Sequence, residues 1–455
     1  MHRSVKRSNA IDASPPAHRE MRDRLDKTVF RKTIPVLAAR VPASKTGVIL
    51  REDAMKRSFV DLPKIKSVIP DPANTDGRLL LLRVSDESDL PQEAREFLKA
   101  VASGYVTHNL ELDYDYWTAD EILQAILPED LLDGSPTGFA CTGHLAHMNL
   151  NDEYLPFKHI IGQVILDKNK AIRTVVNKIE TIGNKFRVFK MEVIAGEPDY
   201  IVEHHESGCK FTFDFSQVYW NSRLGFEHDR IVQLFKPEDV VADVFAGVGP
   251  FAIPAAKKGC AIFANDLNPS SYEYLAKNIE DNRVGVTCRA SCEDGRDFIR
   301  AVVVRALENP FPAYTGPKIS KRQIKEQRKA SSSRPATPTY ELPPRQAISQ
   351  FVMNLPDSAI EFLDAFRGIL SSASVPEGRD LAVVYKSMPM IHCHCFTREL
   401  EFEKAEADIR QRVEEKLGCS LTDADEVSLH HVRSVAPNKD MYCISFRLPQ
   451  QVAYS

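Results

Sequence analysis

Short apolar runs mixed with one helix-like stretch mark the first region of the chain. Apolar positions between residues 23 and 105 come in brief groups, and residues 91–100 have helical spacing. The segment before them, 1–22, is basic and has no such pattern. We therefore predict a flexible basic N-terminus over 1–22 and a small N-terminal α/β domain over 23–105.

The next region, 106–218, combines helical spacing with alternation. A helix is predicted at 118–127, and near the end of the region Phe211, Phe213 and Phe215 fall on one face of a strand. Together these patterns predict a second small α/β domain, the middle domain.

From residue 219 onward, predicted strands alternate with predicted helices. This alternation is typical of a doubly wound parallel sheet. The strands are expected at 240–246, 261–265, 350–353 and 381–385. We predict a Rossmann-like α/β domain over 219–455.

One stretch interrupts that domain. Residues 309–345 are rich in Pro, Ser, Lys and Arg and contain little apolar material to bury. We interpret the stretch as a disordered surface insertion, for which a solvated loop is a simpler role than RNA contact.

Charge does not mark the whole molecule as a nucleic-acid binder, because the net charge is −4. Basic residues are concentrated locally: residues 1–32 carry nine Lys and Arg against four acids, and residues 166–190 carry seven against two. Either segment is a solvated face or an RNA contact. The early basic residues Arg3, Lys6 and Arg7 also fit a mitochondrial presequence.

Cysteine usage indicates reduced thiols in a cytosol-like compartment, since the nine cysteines include no C-x-x-C pair. The run His392-Cys393-His394-Cys395 invites a metal interpretation. On a strand, however, the histidines and cysteines point to opposite faces, so we predict the end of a buried strand and no metal site. No apolar run approaches the length of a membrane span.

The strongest local signal for chemistry is a hydrophobic strand that ends at Asp243 and runs into a turn with Gly247 and Gly249. Glycines there let a ligand approach the backbone, and a helix expected to start near residue 252 offers free N–H groups. Nineteen residues after Gly247, Asp266 ends a second strand, the spacing at which a carboxylate reaches the ribose of a bound nucleoside. This combination predicts a nucleoside cofactor.

The turn departs from the dinucleotide pattern, because Ile253 and Pro254 stand where a third glycine is expected. S-adenosylmethionine has no pyrophosphate, so it fits this departure better than NAD does. After a third strand, Asp294 and Gly295 form another turn at the same edge, which is either the adenine site or an ordinary strand-to-helix connection.

Several motifs together resemble the eukaryotic and archaeal tRNA (guanine-37-N1)-methyltransferases. They are GHLAHMNL at 143–150, FR at 186–187, MEV at 191–193, YWNSRL at 219–224, EH at 227–228, DVFAGVGPF at 243–251, NLP at 354–356 and VRSVAPNK at 432–439. The resemblance extends from about residue 114 to the C-terminus. It implies a class I (Rossmann-like) methyltransferase domain that binds S-adenosyl-L-methionine, preceded by two smaller domains that hold tRNA carrying guanosine at position 37.

The resemblance also implies roles for individual residues. The catalytic positions would be Glu227, Arg187, Asn354 and Arg223. The cofactor contacts would be His228, Asp243, Gly247, Gly249, Asp266, Leu267, Asp294, Gly295 and Asn354. Without the resemblance, Glu227 is simply an acid in a first helical turn and Arg187 a basic surface residue.

Guanine N1 carries a proton that must leave before the nitrogen attacks a methyl group. In this interpretation Glu227 removes the proton, on a helix face shared with Arg223, and its ionisation gives the rate a rise with pH below neutrality. Arg187 stabilises the charge that develops on O6, and Asn354 aligns the base.

Two alternatives remain open at this point. One is the wybutosine-pathway transferase that moves an aminocarboxypropyl group from the same cofactor onto tRNA, and the other is a non-catalytic tRNA-binding protein. We expect a monomer in the cytoplasm, with further pools in the mitochondrial matrix and nucleus.

Overall fold

A computed structural model describes residues 11–134, 136–179, 186–316, 342–371 and 381–455, apart from the side chains of residues 133 and 382. The chain forms two compact units. Unit 1 comprises the described parts of 1–140, 146–178 and 192–198, and unit 2 those of 141–145, 179–191 and 199–455. The predicted domain boundaries at residues 105 and 218 stay a prediction.

Unit 1 begins with a four-stranded antiparallel sheet of order β2-β3-β1-β4. Its elements are β1 (Arg31–Pro42), α1 (Thr46–Ile49), β2 (Val68–Asp71), β3 (Asn74–Leu81), α2 (Gln92–Val101) and β4 (Gly104–Asp113). Alternate residues of β1 enter two cores: Leu37 and Ala39 pack with Ala94 and Leu98 of α2, and Val36 packs on the opposite face. The helix expected at 91–100 is therefore confirmed as α2.

The rest of unit 1 surrounds a second core. Its elements are α3 (Ala119–Ile126), β5 (Ala140–Thr142), β6 (Leu145–Met148), α4 (Lys158–Lys168), β7 (Thr174–Lys178) and β8 (Met191–Gly196), with the last two residues of β5 and the first residue of β6 and of β8 counted in unit 2. Thr118 caps α3 in a capping box with Glu121, which explains why the helix predicted at 118–127 begins where it does.

Residues 11–22 do not behave as the flexible segment that we predicted. The Trp117 indole N–H donates to the Ala13 carbonyl over 2.7 Å, and the Arg19 guanidinium donates to carbonyls at the end of α3. Ala13 and Met21 pack against the core around α3 and α4. Basic composition concealed this packing, because each contact uses a single apolar residue or a backbone carbonyl. Residues 1–10, with the suggested presequence, lie outside the described part of the chain.

Unit 2 contains a hairpin, β9 (Ile201–Glu206) and β10 (Cys209–Asp214). Its turn places Ser207 at φ 51° and Gly208 at φ 68°, the left-handed conformation that two-residue hairpin turns require. Phe211 and Phe213 are buried on one face of β10, as the alternation predicted.

The main sheet of unit 2 has seven strands in the order β13-β12-β11-β14-β15-β17-β16. The strands are β11 (Val240–Asp243), β12 (Ala261–Asn265), β13 (Cys288–Ser291), β14 (Gln350–Met353), β15 (Met390–Thr397), β16 (Ser428–Ala436) and β17 (Lys439–Arg447). Strands β11 to β15 are parallel, and β17 is antiparallel to both of its neighbours. The predicted doubly wound sheet is thus confirmed, with an antiparallel strand near one edge.

The helices of unit 2 are α5 (Gly225–Leu234), α6 (Ala252–Lys258), α7 (Pro269–Asp281), α8 (Gly295–Glu308), α9 (Leu381–Val384), α10 (Phe402–Leu417) and α11 (Gln450–Tyr454). Short 3-10 turns also occur, at Lys27–Val29, Ala43–Lys45, Asp53–Met55, Glu87–Asp89, Glu129–Gly134, Asp152–Phe157, Ser222–Leu224, Ala359–Phe366 and Asp423–Asp425. Val302 of α8 and Ile409 of α10 pack in one core with Phe351 of β14 and Ile391 of β15. Within the described ranges, every helix is too short or too polar to cross a membrane.

Two strand predictions need correction. The strand expected at 381–385 is helix α9, where the Tyr385 N–H donates to the Leu381 carbonyl over 2.8 Å. A run of five apolar residues fits a buried strand and a helical turn equally well, so periodicity did not separate them. The strand expected at 240–246 ends at Asp243, since the chain turns there toward the glycines.

The insertion predicted at 309–345 is ordered at both of its ends. Phe311 is buried and forms a strand bridge with Arg345, whose guanidinium donates to the carbonyls of Pro237 and Gly259. The prediction of disorder was therefore wrong for these flanks. Residues 317–341 lie outside the described residues.

Deleting residues 1–22 is expected to lower the melting temperature by about 4 to 8 °C, the equivalent of about 2 kcal/mol in a unit of this size. The deletion leaves the buried Trp117 indole without its acceptor and removes Met21 from the core. Scanning calorimetry measures the shift. Deletion of residues 1–10 keeps all of these contacts and is the control, and equal melting temperatures for the two proteins would contradict the packing.

Candidate active site

The strand order of unit 2 reverses between β11 and β14, and the turn after β11 lies at that reversal. The Ala246 N–H donates to the Asn265 carbonyl over 2.7 Å, and the Gly247 N–H donates to Asp266 Oδ2 over 2.8 Å. Both bonds fasten the turn to the end of β12. Ligands of open α/β sheets bind in the crevice at such a reversal, beyond the carboxyl ends of the strands.

The two glycines of this turn serve different purposes. Gly247 has φ 55° and Gly249 has φ 100°, so both adopt a conformation that other residues rarely adopt. A Cβ on Gly249 would lie 2.8 Å from Cδ1 of Ile253, whereas a Cβ on Gly247 would meet no atom of the described residues within 4 Å. Gly249 is therefore required by packing, and the space beside Gly247 is open to a ligand.

Asp243 is fully buried at the end of β11, and neither carboxylate oxygen has a hydrogen-bond partner of normal geometry among the described residues. Burial, with a smaller contribution from the nearby Asp266 carboxylate, raises the pKa of Asp243 to about 8. A buried carboxyl group without a partner is unfavourable in isolation and suits a ligand that brings positive charge.

Asp266 also lies at this edge and is partly exposed. Its Oδ1 accepts the Asn268 N–H over 2.9 Å, while its Oδ2 holds Gly247. Burial raises the pKa of this carboxyl above its usual value. The Ser271 side chain is a third donor to this carboxylate, and its remaining acceptor capacity is open to a hydroxyl donor. The ribose contact stays a prediction, and the structure adds a second task, which is to hold the glycine turn.

A third turn beside the crevice leads from β13 into α8. Asp294 caps this helix, since its Oδ1 accepts the Arg296 N–H over 2.8 Å. A Cβ on the buried Gly295 would lie 2.8 Å from Cε1 of Phe245, so the turn packs tightly on the loop after β11. Leu267 is partly exposed after β12. The predicted cofactor contacts of Asp294, Gly295 and Leu267 remain predictions, and Asp294 has a structural role beside them.

Buried asparagines connect these turns, and the sequence analysis missed them. Asn265 donates through Nδ2 to the carbonyls of Val244 and Glu293 over 3.2 and 3.0 Å and accepts the Glu293 N–H through Oδ1 over 3.1 Å. It thereby joins the ends of three strands. An Asn inside an otherwise apolar strand, directly before Asp266, was the available signal.

Two further asparagines, one within α7 and one at its C-terminal cap, bind the outer edge of the hairpin. Asn278 Oδ1 accepts the Thr212 N–H over 2.8 Å, and its Nδ2 donates to the Val248 carbonyl over 3.2 Å. Asn282 accepts the Lys210 N–H over 3.1 Å and donates to the Lys210 carbonyl over 2.7 Å. Asn278 therefore connects the glycine turn to β10.

His228 is buried on α5. Its Nδ1 lies 2.6 Å from Oε1 of Glu206, and its ring packs edge-on against Phe251 at 4.8 Å between centroids. Burial would raise the pKa of the Glu206 carboxyl, but hydrogen bonds from His204 and His228 lower it to about 2. This geometry makes His228 a link between α5 and the hairpin, and its contact with a cofactor stays a prediction.

Glu227 is buried in the first turn of α5, with 4% of its surface exposed. The Arg230 guanidinium donates to both carboxylate oxygens over 2.7 Å, and His394 Nε2 of β15 lies 2.7 Å from Oε1. Burial would raise the pKa of this carboxyl, but the bonds from Arg230 and His394 lower it to about 2. The carboxylate of the free protein is therefore ionised already well below neutrality, and a rise in rate that reports its ionisation is expected at more acidic pH than the sequence suggested.

Arg187 and Asn354 lie on the same side of the sheet. The Arg187 guanidinium is 3.2 Å from Oδ2 of Asp357 and 3.4 Å from the Ser358 hydroxyl, in the loop that begins with Asn354. Oδ1 of Asn354 is buried without a hydrogen-bond partner in the described structure. Lys439 lies 3.9 Å from the other oxygen of Asp357. The structure thus brings Arg187 to the Asn354 loop, as expected.

Arg223 does not share a helix face with Glu227. Helix α5 begins only at Gly225, and Arg223 lies in the preceding 3-10 turn with an exposed side chain, whereas Glu227 is buried. The predicted face was wrong because a spacing of four residues places two side chains together only within one continuous helix. A catalytic role for Arg223 stays a prediction.

Strand β15 confirms the opposite faces predicted for the His-Cys run, which lies in the middle of the strand. Cys393 and Cys395 enter the core, and His392 and His394 lie on the other face. Glu227, His394 and Cys443 of β17 place ligand atoms within 4.8 Å of one another, a spacing that one metal ion could use. Arg230 already occupies both oxygens of Glu227, so we interpret the group as a buried ion-pair cluster.

The crevice therefore offers two kinds of chemistry at one sheet edge. At β11 and β12, a carboxyl without a partner and an open glycine turn suit a cationic nucleoside. At β14 and β15, Asn354 and His394 are the next positions after the paired residues Met353 and Cys393, so the amide at the end of β14 lies beside the part of β15 that holds the Glu227 cluster. A planar ligand with a removable proton fits this second part.

Comparison with known proteins gives consistent results. A model of the TRM5/TYW2 methyltransferase domain matches residues 202–309, and one of the TYW2 N-terminal domain matches residues 119–199. A tRNA (guanine(37)-N(1))-methyltransferase from Coprinopsis cinerea is 60% identical over 98% of both chains. One from Schizosaccharomyces pombe is 45% identical over 95% of both.

Solved structures share the fold. Trm5b from Pyrococcus abyssi has a TM-score of 0.56 and 22% identity and covers 90% of this chain and 99% of its own. The structure described as the complex of aTrm5 and tRNALeu has a TM-score of 0.59 and 20% identity, with coverage of 91% and 100%.

The two glycines of the turn are expected to respond differently to alanine. Gly249→Ala is expected to lose about 2 to 4 kcal/mol of unfolding free energy, since it combines a left-handed backbone with a clash against Ile253. Gly247→Ala has only the backbone strain, about 1 to 2 kcal/mol. Urea denaturation measures both, and a larger loss for Gly247→Ala would contradict the assignment of Gly249 to packing.

Proposed function

Because the chain belongs to the tRNA (guanine(37)-N(1))-methyltransferases, we propose that the crevice of unit 2 is where a methyl group passes from S-adenosyl-L-methionine to N1 of guanosine 37 in tRNA. The observation that carries the assignment of this site is the buried Glu227 carboxylate beside the Asn354 loop to which Arg187 is bound. Removal of the N1 proton requires an acceptor, and Glu227 is the buried carboxylate at that end of the crevice.

The residues at the ends of β11 and β12 fit the methyl donor. S-adenosyl-L-methionine supplies a methyl group on a positively charged sulfur and carries a cationic amino group. The unpartnered Asp243 carboxyl would take up one of these charges, and Asp266 keeps lone pairs for the ribose hydroxyls. Gly247 leaves the space that the nucleoside needs.

The other part of the crevice fits the guanine. Glu227 accepts the N1 proton, so that the freed lone pair on N1 can attack the methyl carbon. Negative charge then builds up on O6, where the Arg187 guanidinium would donate in exchange for its bond to Asp357. The buried Oδ1 of Asn354 lacks a donor, and a guanine N–H would supply one.

The wybutosine-pathway transferase is a weaker candidate. The match to a TYW2 N-terminal domain is confined to residues 119–199, whereas the methyltransferase relatives align along nearly the whole chain. A set of residues built to remove the N1 proton is also unnecessary for a transfer that does not use N1.

We further propose that the protein acts as a monomer, because Glu227, Arg187 and Asn354 all come from unit 2 of one chain. Mass photometry with and without tRNA tests this. A cytoplasmic protein with mitochondrial and nuclear pools remains our proposal for localisation, and fractionation of cells tests it.

Asp243→Asn is expected to weaken S-adenosyl-L-methionine binding at least about tenfold, since a charge-assisted bond is lost. At pH 7 the wild-type carboxyl, with its pKa of about 8, is mostly protonated and releases up to about one proton when a cation binds. Calorimetry in two buffers of different ionisation enthalpy measures this release. A variant that releases as many protons as the wild type would exclude Asp243 as the source.

Without ligand, Asp243→Asn should also lose part of the pH dependence of its unfolding free energy. The folded-state pKa of Asp243 is raised, so the group stabilises the fold at low pH and this contribution is lost as the pH rises from about 4 to about 8. The unfolding free energy of Asp243→Asn should therefore fall less over that range than that of the wild type.

Glu227→Gln is expected to slow single-turnover methylation by about 10² or more, because the amide cannot accept the N1 proton. Affinities for tRNA and cofactor should stay within a few fold of wild type. The substrate is a tRNA transcript with guanosine 37, and the same transcript with adenosine 37 is the control that should accept no methyl group. Wild-type rates in the variant would remove Glu227 from the mechanism, and transfer to adenosine 37 would contradict the proposed target.

A further inference from the structure

The two oxygens of Glu227 have unequal surroundings. Oε1 accepts hydrogen bonds from both His394 and Arg230, whereas Oε2 accepts one from Arg230. His430 Nε2 of β16 lies 3.8 Å from Oε2, and 49% of the His430 side chain is exposed. Oε2 is therefore the oxygen with more free acceptor capacity, and it lies toward the partly exposed His430.

We propose that His394 is a positioning residue for proton transfer: it holds Oε1 of Glu227 so that Oε2 receives the N1 proton of guanosine 37. This inference rests on the proposed role of Glu227 as the base. In the step, the N1–H bond breaks and an Oε2–H bond forms. The electron pair left on N1 then forms the bond to the methyl carbon, and the sulfur of the donor keeps the electrons of the broken bond.

The surroundings of His394 favour this role. The imidazole is fully buried and its Nδ1 has no hydrogen-bond partner of normal geometry in the described structure, so the bond from Nε2 to Glu227, with the Cys443 sulfur close by, orients the ring. Burial alone would lower the pKa of His394, but the adjacent Cys443 sulfur and the Glu227 carboxylate raise it to about 10. His394 thus faces the carboxylate as a charged donor.

The neighbouring histidine of the same strand face provides a contrast. His392 is equally buried, but its partners are the Ser445 hydroxyl and the Gln350 side chain, at 2.8 and 3.1 Å. Burial, with the charge of His394, lowers the pKa of His392 to about 3. One face of β15 therefore carries a neutral structural histidine and a charged one bonded to the base.

Other titratable groups also act on the cluster, and they define what a pH experiment reports. Arg230 of α5, His430 of β16, Cys443 of β17 and Asp243 of β11 all face Glu227 or His394. They are unchanged in a His394 variant. A shift confined to that variant therefore reports the bond between His394 and Glu227.

The test compares His394→Leu with His394→Gln in single-turnover methylation of a guanosine-37 transcript. His394→Leu removes the donor and is expected to slow the reaction at least about tenfold, while His394→Gln keeps a donor and should stay within about threefold of wild type. The matched control is His392→Leu, which should also stay within about threefold. Dissociation constants for tRNA and cofactor should not change in any of the three.

Two further readouts separate positioning from a general loss of structure. The acidic limb of the rate should move to higher pH by about one to two units in His394→Leu and not in His392→Leu, since the carboxylate loses a charge-assisted bond. When Glu227 is already Gln, His394→Leu should add little further slowing, because both changes remove the same function.

Equal slowing by His394→Leu and His392→Leu would overturn the proposal. So would a double variant of His394→Leu and Glu227→Gln whose slowing equals the product of the two single slowings. If His394→Leu does not fold, the pair His394→Gln and His394→Asn decides, since Asn is too short to reach Oε1 and should be slow. A wild-type rate in Glu227→Gln would instead remove the base itself, whatever the His394 variants do.

Discussion

Parallel strands present their carboxyl ends at one edge of a sheet, and that edge is left uncovered only where the strand order reverses. In this protein the reversal falls between β11 and β14. The chain leaves β11 toward β12 on one side and returns to β14 on the other, so the connecting helices diverge and cannot fill the gap. The groups at the ends of β11, β12 and β14 lie at this edge, and His394 of β15 reaches Glu227 of the neighbouring helix α5.

The crevice contains two buried carboxyl groups in opposite electrostatic states. Asp243 has no hydrogen-bond partner of normal geometry among the described residues and has a raised pKa, whereas Glu227 has two charged donors and a lowered pKa. Ionising Asp243 is unfavourable until a cation binds beside it. The ionised form of Glu227 is stabilised, which makes Glu227 a weak base. Such a division suits a reaction in which one ligand brings positive charge and the other gives up a proton.

A general base works best when its pKa lies near the pH at which it acts. The pKa of Glu227 in the free protein is far below that pH. The carboxylate becomes a stronger base if one of its two donors moves away when the substrate binds. Arg230 is the donor that can move away, because its side chain is partly exposed and is joined to Glu227 only from three residues along the same helix. His394 is fully buried and is fixed by the strand.

Local patterns predicted the features that depend on neighbouring residues. The glycine turn, the helix that starts at Thr118 and the opposite faces of His392 and Cys393 all follow from a few adjacent positions. The partner of Glu227 did not, because His394 is 167 residues away and reaches it through strand pairing. The missing partner of Asp243 was equally invisible, since a sequence shows which residues are present and not which bonds are left unmade. Arg230, three positions along a helix, was within reach of pattern reasoning.

The asparagines of α7 have a consequence for how copies of the protein meet one another. An outer strand of a hairpin normally exposes backbone N–H and C=O groups that can recruit a strand from another molecule. On β10 the amides of Asn278 and Asn282 already occupy those groups at Thr212 and Lys210. A strand of another molecule therefore cannot pair with β10 at these positions. Two side-chain amides do here what a further strand would do, and they protect this edge against aggregation.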